Sequence, residues 1–152
     1  MRLLSNILGA AGLNTCLVTS TSRTPAEQAR VMFDNIACEG VASQKALYAA
    51  PGEAVIEEYV RAKRDGKNRA QTIAAMEAKI RALGPSTVSR HCADPSRLNV
   101  IDIAPSSVSD RPGFGRAVRA ALARGAVSKF ITPGNNDPAY HVEIPQPAAG
   151  RG

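Results

Sequence analysis

Tryptophan is absent from the chain, and aromatic residues make up only 4% of its 152 residues. Hydrophobic residues nevertheless reach 44%, so small aliphatic side chains must build most of a core. No segment approaches the roughly 18 consecutive apolar residues that a membrane-spanning helix needs. Asn6 and Asn14 interrupt the apolar opening residues, which therefore do not resemble a signal peptide. We expect one globular domain, synthesised in the cytoplasm, with no membrane span.

Cysteine is also scarce, and its pattern excludes two classes of small protein. Cys16, Cys38 and Cys92 cannot all pair within one molecule, and no CxxC is present. This excludes a disulfide framework and a cysteine-rich zinc site, and it favours a reducing compartment at synthesis. The HExxH signature of many zinc peptidases is absent as well.

Positive charge exceeds negative charge, and the formal net charge is +6. The basic residues are scattered. Their densest cluster, residues 61–69, is interrupted by Asp65 and contains no aromatic residue. Such a cluster is typical of a solvated helix face and turn. A nucleic-acid-binding protein would need stacking aromatics or a recognition motif, so we expect no nucleic-acid partner, although the charge alone leaves that alternative open.

Hydrophobic periodicity predicts helices in the first two thirds of the chain and strands mainly in the last third. Thr24, Pro25 and Glu27 form a helix start with a capping box. The predicted helices cover residues 3–11, 24–36, 55–64, 73–83 and 110–122, with an irregular connection at 37–51. The predicted strands cover residues 16–19, 87–91, 99–103, 129–132 and 140–144. This order favours an α+β fold with a small antiparallel sheet. We expect a single domain over residues 1–145 and a loose C-terminal tail over 146–152.

Both histidines fall in segments predicted to be strands. In residues 140–144 the apolar side chains alternate with His141 and Glu143, so an imidazole and a carboxylate share one face. Asp102 lies between two isoleucines, and a carboxylate in so apolar a strand needs a compensating partner. Two imidazoles with one carboxylate are a ligand set of catalytic zinc sites. From residue chemistry alone, a histidine at a strand end is more often a hydrogen-bonded structural residue than a metal ligand, so the structural interpretation stays open at this point.

Three motifs, in a fixed order, resemble the LAS metallopeptidases. This family comprises D-Ala-D-Ala carboxypeptidases and dipeptidases and L-alanyl-D-glutamate endopeptidases, including bacteriophage endolysins. Residues 18–28, with Arg23, resemble its strand-to-helix signature. Residues 89–103 resemble its Ser-x-His…Asp metal motif, and residues 140–143 its second histidine motif. Together the motifs span nearly the whole chain.

The resemblance implies a hedgehog/D-Ala-D-Ala peptidase-like fold, and it implies roles for individual residues. His91, Asp102 and His141 would hold Zn²⁺. Arg23 would bind a substrate carboxylate or steady an oxyanion. Ser89 would contribute to substrate binding by orienting the strand that carries His91, and simple turn capping is its alternative role.

Two departures from the family pattern leave alternatives open. Ten residues separate His91 from Asp102, without the family's glycine, so Asp94 is a rival ligand and Cys92 a possible extra one. The family's general base would fall on Pro138. Asp137 is the preferred substitute, and the alternative is Glu143.

The function that this resemblance implies is zinc-dependent hydrolysis of bacterial peptidoglycan stem peptides by an endolysin-like endopeptidase, acting as a monomer. A holin, a phage particle or a secretion system would have to deliver such a protein to the cell wall. The altered spacing leaves one alternative, a catalytically silent, zinc-stabilised structural or wall-binding protein of a phage particle.

Overall fold

A computed structural model describes residues 2–134 and 138–147 of the chain. It is 59% helical, with a four-stranded antiparallel sheet, and this confirms the predicted α+β class. The finer hedgehog-like assignment stays a prediction. The chain divides into two compact units, which we call the sheet unit (residues 1–22 and 94–152) and the helical unit (residues 23–93).

The secondary-structure elements are numbered in chain order. The helices are α1 (Arg2–Ala10), α2 (Pro25–Glu39), α3 (Val41–Leu47), α4 (Ala50–Arg64), α5 (Arg69–Leu83), α6 (Pro85–Val88) and α7 (Arg111–Ala123). The strands are β1 (Val18–Ser20), β2 (Leu98–Ile103), β3 (Lys129–Ile131) and β4 (Tyr140–Pro145). Short 3-10 helices span Arg90–Cys92 and Pro105–Ser107. Among the described residues, no helix is both long and apolar enough to cross a bilayer.

The sheet unit packs its sheet, in the order β1-β2-β4-β3, against helices α1 and α7. Strand alternation sends Ile103, Tyr140 and Val142 into this core. Phe114 of α7 meets the Tyr140 ring edge-on, with the ring centroids 5.1 Å apart. The spacing of Phe114, Val118, Ala121 and Leu122 predicts one buried stripe on α7, but Leu122 is 38% exposed because it lies at the edge of that stripe. Three of the six aromatic residues, Phe114, Phe130 and Tyr140, thus lie where the sheet meets α7.

The helical unit has a core of aliphatic and methionine side chains and the Phe33 ring, from α2, α4, α5 and α6. The capping box predicted at Thr24 is present: its hydroxyl accepts from the Glu27 amide, and the Glu27 carboxylate accepts from the Thr24 amide. Ala29, Met32, Phe33 and Ile36 recur at the spacing that predicts one buried stripe on α2, and all four are buried. The spacing of Val55, Ile56, Tyr59 and Val60 likewise predicts one buried face on α4, but Val60 is 44% exposed because it lies at the edge of that face.

The irregular connection predicted for residues 37–51 is wrong. Helix α2 continues to Glu39, and α3 and α4 fill most of the rest. Gly40 has a φ of +89° and interrupts the helices at a single residue. Pro51 lies in the first turn of α4, where its missing N–H removes no helical hydrogen bond. Both residues therefore mark helix boundaries here and not a loop.

The strand predicted for residues 87–91 is also wrong. Gly84, with a φ of +88°, ends α5, and Pro85 starts the short helix α6. The Thr87 hydroxyl donates to the carbonyls of Leu83 and Gly84, at 2.8 and 2.7 Å. These local bonds stabilise a turn that the β-branched residues alone did not predict. As a result, His91 lies on a 3-10 helix.

Candidate metal centre

The register of β2 and β4 places two predicted ligands side by side. Asp102 pairs directly with His141, and Val100 pairs with Glu143. Because residues two apart on a strand share a face, Asp102, His141 and Glu143 all lie on the face away from the aromatic core. The Asp102 Oδ1 and His141 Nδ1 atoms are 2.9 Å apart. Strand alternation and strand pairing therefore place the His141 imidazole and the two carboxylates on the same face of the sheet.

His141 lies between two carboxylates. Its Nε2 is 3.4 Å from Glu143 Oε1, and the two residues are 8% and 3% exposed. Burial lowers the pKa of His141, but the hydrogen bond and charge of Asp102, with a further contribution from Glu143, outweigh burial and raise it above its ordinary value. Surroundings that favour an imidazolium cation also favour a metal cation beside a neutral imidazole.

His91 is 7% exposed. Its carbonyl accepts a hydrogen bond from the Arg23 amide at 2.7 Å, which fixes the backbone of the 3-10 helix. One ligand atom each from His91, Asp102 and His141 lie within 4.8 Å of one another. The ligand atoms of a tetrahedral zinc ion with bonds of about 2.1 Å are roughly 3.4 Å apart, which falls within this range. The His91–Asp102–His141 group could therefore bind a metal ion.

The two rival ligands have other surroundings. Asp94 is exposed, and its Oδ1 accepts from the Ser96 amide at 2.9 Å. Those Ser96 bonds lower the pKa of Asp94 and identify it as a turn residue. Cys92 is half-buried, and burial raises the pKa of its thiol. The candidate metal group found among the described residues includes neither side chain.

The remaining predicted site residues are placed as follows. Arg23 follows β1, and its Nη1 donates to Gln28 Oε1 at 3.1 Å. Ser89 is extended between α6 and the 3-10 helix, and its carbonyl accepts from the Cys92 amide at 3.0 Å. Asp137, the preferred general base, lies outside the described residues. Ser89 therefore supports the turn that carries His91 through its backbone.

Sequence reasoning missed one residue beside Arg23. Gln28 is completely buried at the start of α2, and its Nε2 donates to Tyr48 Oη at 3.3 Å. The signal was available: Gln28 lies four residues before Met32, at the head of the apolar stripe, where a polar side chain is out of place. A buried amide at such a position needs partners.

Comparisons with known proteins add no relative to this picture. Models of protein families, curated proteins and solved structures were each compared with the chain, and none matched. The functional argument therefore depends on the geometry of the chain itself.

Proposed function

We propose that this protein is a zinc-dependent peptidase that hydrolyses peptide bonds in the stem peptides of bacterial peptidoglycan, as an endolysin-like endopeptidase does. The observation that carries the proposal is the convergence of His91, Asp102 and His141, whose ligand atoms lie within 4.8 Å of one another. The motif order of the sequence supplies the substrate class. The net charge of +6 suits an anionic wall.

The donor set fits zinc better than a hard cation. Imidazole nitrogens suit zinc, whereas calcium and magnesium prefer oxygen ligands. Two imidazoles and one carboxylate leave a coordination position open, which is typical of catalytic zinc sites. When bound, zinc polarises a carbonyl and makes water more acidic.

Glu143 has two candidate roles, and its position favours one of them. Since His141 Nδ1 faces Asp102, Nδ1 is the ligand atom in this proposal and the opposite Nε2–H donates to Glu143. A carboxylate in that position orients the imidazole and increases its basicity. The general base that takes a proton from water and returns it to the leaving amine is then Asp137, as the sequence predicts.

Arg23 supplies the positive charge. Its backbone is hydrogen-bonded to His91, and its guanidinium is proposed to bind a substrate carboxylate or the oxyanion of the transition state. Ser89 supports the His91 turn. In this scheme the monomeric protein acts at the cell wall after a holin, a phage particle or a secretion system has delivered it.

The direct test incubates the zinc-loaded protein with purified peptidoglycan and measures newly formed amino groups. We expect release by the wild-type protein and none by His141→Ala. Ser43→Ala, an exposed change on α3, is the matched control and should behave as wild type. Absence of release by the wild type, or equal release by His141→Ala, contradicts the proposal.

Two further variants separate the carboxylates. Glu143→Gln keeps a hydrogen-bond acceptor for His141, so we expect a zinc affinity lower by roughly 10- to 100-fold with turnover retained at saturating zinc. Asp137→Asn should lower kcat by roughly 10²- to 10⁴-fold with zinc affinity unchanged. The reverse pattern would make Glu143 the base.

A second candidate is a catalytically silent, zinc-stabilised wall-binding protein. The position of Glu143 against His141, 3.4 Å from its Nε2, favours this candidate, because a carboxylate that orients a ligand does not activate water. About one zinc per chain with peptidoglycan binding and no release of amino groups would support it.

A further inference from the structure

We propose that Gly52, Tyr48 and Gln28 form a positioning relay that fixes the Arg23 guanidinium. All four residues belong to the helical unit. The catalytic meaning of the relay depends on the proposed function, in which Arg23 contacts substrate. The relay itself is a property of the folded chain and can be measured without turnover.

The first link joins Gln28 to Arg23. Gln28 is 0% exposed, so its amide must find hydrogen-bond partners inside the protein. Its Oε1 accepts from Arg23 Nη1 at 3.1 Å. A flipped amide would place an NH₂ group against a guanidinium, and since both are donors, only the observed orientation is compatible with this contact. The amide therefore has a defined direction.

The second link joins Gln28 to Tyr48. With Oε1 facing the guanidinium, Nε2 points to Tyr48 Oη at 3.3 Å. Burial raises the pKa of Tyr48, and the charge of Arg23 and the Gln28 hydrogen bond offset only part of that rise. Tyr48 thus holds Gln28 from the side opposite Arg23.

The third link fixes the tyrosine ring. Tyr48 is extended between α3 and α4, and Gly52 lies one turn later, in the first turn of α4. A Cβ atom on Gly52 would lie 2.7 Å from both Cβ and Cγ of Tyr48, much closer than van der Waals contact allows. These are the atoms at the base of the side chain, which cannot swing away without moving the ring. Only glycine at position 52 permits the observed ring position.

The relay holds Arg23 at both of its ends. The backbone amide bonds to the His91 carbonyl at 2.7 Å, and the guanidinium is held at Nη1 by Gln28. An arginine side chain has many rotamers, and a group whose orientation is fixed in advance loses less entropy when it engages a transition state. The relay therefore acts on turnover through Arg23, and these three residues need not touch the substrate.

Two substitutions of Gln28 separate positioning from packing. Gln28→Met keeps the volume and removes both hydrogen bonds. Gln28→Glu keeps both, because a carboxylate accepts from the guanidinium and from the tyrosine hydroxyl. Tyr48→Phe removes only the second link, and Gly52→Ala displaces the ring. Tyr59→Phe, at the other tyrosine of the helical unit, whose ring packs edge-on against Phe33, is the control for loss of a hydroxyl.

The first readout uses the full chain without metal. Rotation of the Arg23 guanidinium is followed by NMR of arginine side-chain ¹⁵N signals, and the Arg23 signal is assigned from its loss in Arg23→Lys. We expect slow rotation in the wild type, Gln28→Glu and Tyr59→Phe. Rotation should be faster in Gln28→Met and Gly52→Ala, with a smaller increase in Tyr48→Phe.

The second readout is kcat/KM of the zinc-loaded protein on peptidoglycan fragments, measured with zinc stoichiometry. We expect a loss of roughly tenfold for Gln28→Met and roughly threefold for Tyr48→Phe, with bound zinc unchanged. Gln28→Glu should retain wild-type turnover. Tyr48→Phe leaves the core filled, so it tests the relay even if Gln28→Met does not fold.

Unchanged guanidinium rotation in both Gln28→Met and Tyr48→Phe overturns the relay. Equal losses of kcat/KM for Gln28→Glu and Gln28→Met would show that Gln28 acts through packing only. That result would also overturn the relay. The wild type could instead bind no zinc and cleave no wall peptide while guanidinium rotation is still faster in the variants. That result supports the relay and contradicts only the proposed function. The two failures are thus distinguishable.

Discussion

The sheet unit and the helical unit place their polar residues by different means. In the sheet unit, Asp102, His141 and Glu143 share a face because two strands pair in one register. In the helical unit, Arg23 and His91 occupy the turns before α2 and after α6, and hydrogen bonds to neighbouring backbone and side chains fix them. Strand pairing therefore orients the polar side chains of the sheet unit, whereas the turns at helix boundaries orient those of the helical unit.

The two units also differ in what they bury. The sheet unit buries an aromatic cluster around Phe114 and Tyr140, and its buried polar side chains, His141 and Glu143, are titratable. The helical unit buries one histidine and three polar side chains that do not titrate, Gln28, Gln44 and Thr72. Buried polar groups cost stability unless they are bonded, and in the described residues Gln44 Oε1 has no hydrogen-bond partner. The aromatic cluster of the sheet unit thus supplies stability through packing, while part of the helical core supplies orientation.

The largest expected effect tests the aromatic core. Phe114→Ala should lower the free energy of unfolding by about 3–5 kcal/mol, because it removes a fully buried ring from two aromatic and several aliphatic neighbours. Met76→Ala in the helical unit should cost about 2–5 kcal/mol. Urea unfolding measures both, with exposed Leu122→Ala as the control. A smaller loss for Phe114→Ala than for Met76→Ala would reverse the comparison.

The next effect tests whether both histidines bind the metal. Free zinc at one hundred times its Kd should stabilise the folded protein by about 2.7 kcal/mol. His91→Ala and His141→Ala should each abolish this shift. Thermal unfolding with and without a chelator measures it. An undiminished shift in His91→Ala would exclude His91 as a ligand.

Loss of a helix cap should lower the free energy of unfolding by less than the core substitutions do, and by a similar amount in the two units. Thr24→Ala and Asn68→Ala remove side-chain acceptors at the starts of α2 and α5, and Asp110→Ala removes one at α7. Each should lower the free energy of unfolding by about 1 kcal/mol. Ser43→Ala, an exposed helical change, serves as the reference in the same urea titrations. A negligible cost at Thr24 and Asn68 alone would mean that the helical unit does not depend on its caps.

The smallest effect concerns pH and the sheet unit. The pKa of His141 is raised above 6.5 in the folded protein, where carboxylate bonds outweigh burial. Its stabilisation of the metal-free protein is therefore fully present below about 6.5 and is lost as the pH rises through the folded pKa. Zinc-dependent stabilisation should change in the opposite direction, because the imidazoles bind metal when neutral.

Unfolding of chelator-treated protein across this pH range, with His141→Gln as the control, measures the effect. The prediction fails if the metal-free wild type gains stability as the pH rises above about 6.5 and His141→Gln does the same. That result would show that the carboxylate neighbours do not hold His141 as a cation.

Prediction from sequence succeeded best where a pattern of neighbouring residues is itself the physical cause of the structure. The capping box at Thr24 and the alternation around His141 are local signals, and both are present in the structure. The strand predicted at residues 87–91 failed because bonds from the Thr87 hydroxyl to preceding carbonyls stabilise a turn. Side-chain bonds of this kind compete with intrinsic strand preference.

The sequence by itself determined the fold class, the starts of α1, α2 and α7, and which side chains are chemically able to hold a metal ion. These follow from periodicity, capping residues and side-chain type, all of which act within a few residues along the chain. Tertiary structure alone decided that Asp102 pairs with His141, that Glu143 faces the second ring nitrogen, and that Gln28 joins Arg23 to Tyr48. Strand register and buried hydrogen bonds join residues far apart in the chain, and no local pattern specifies such pairs.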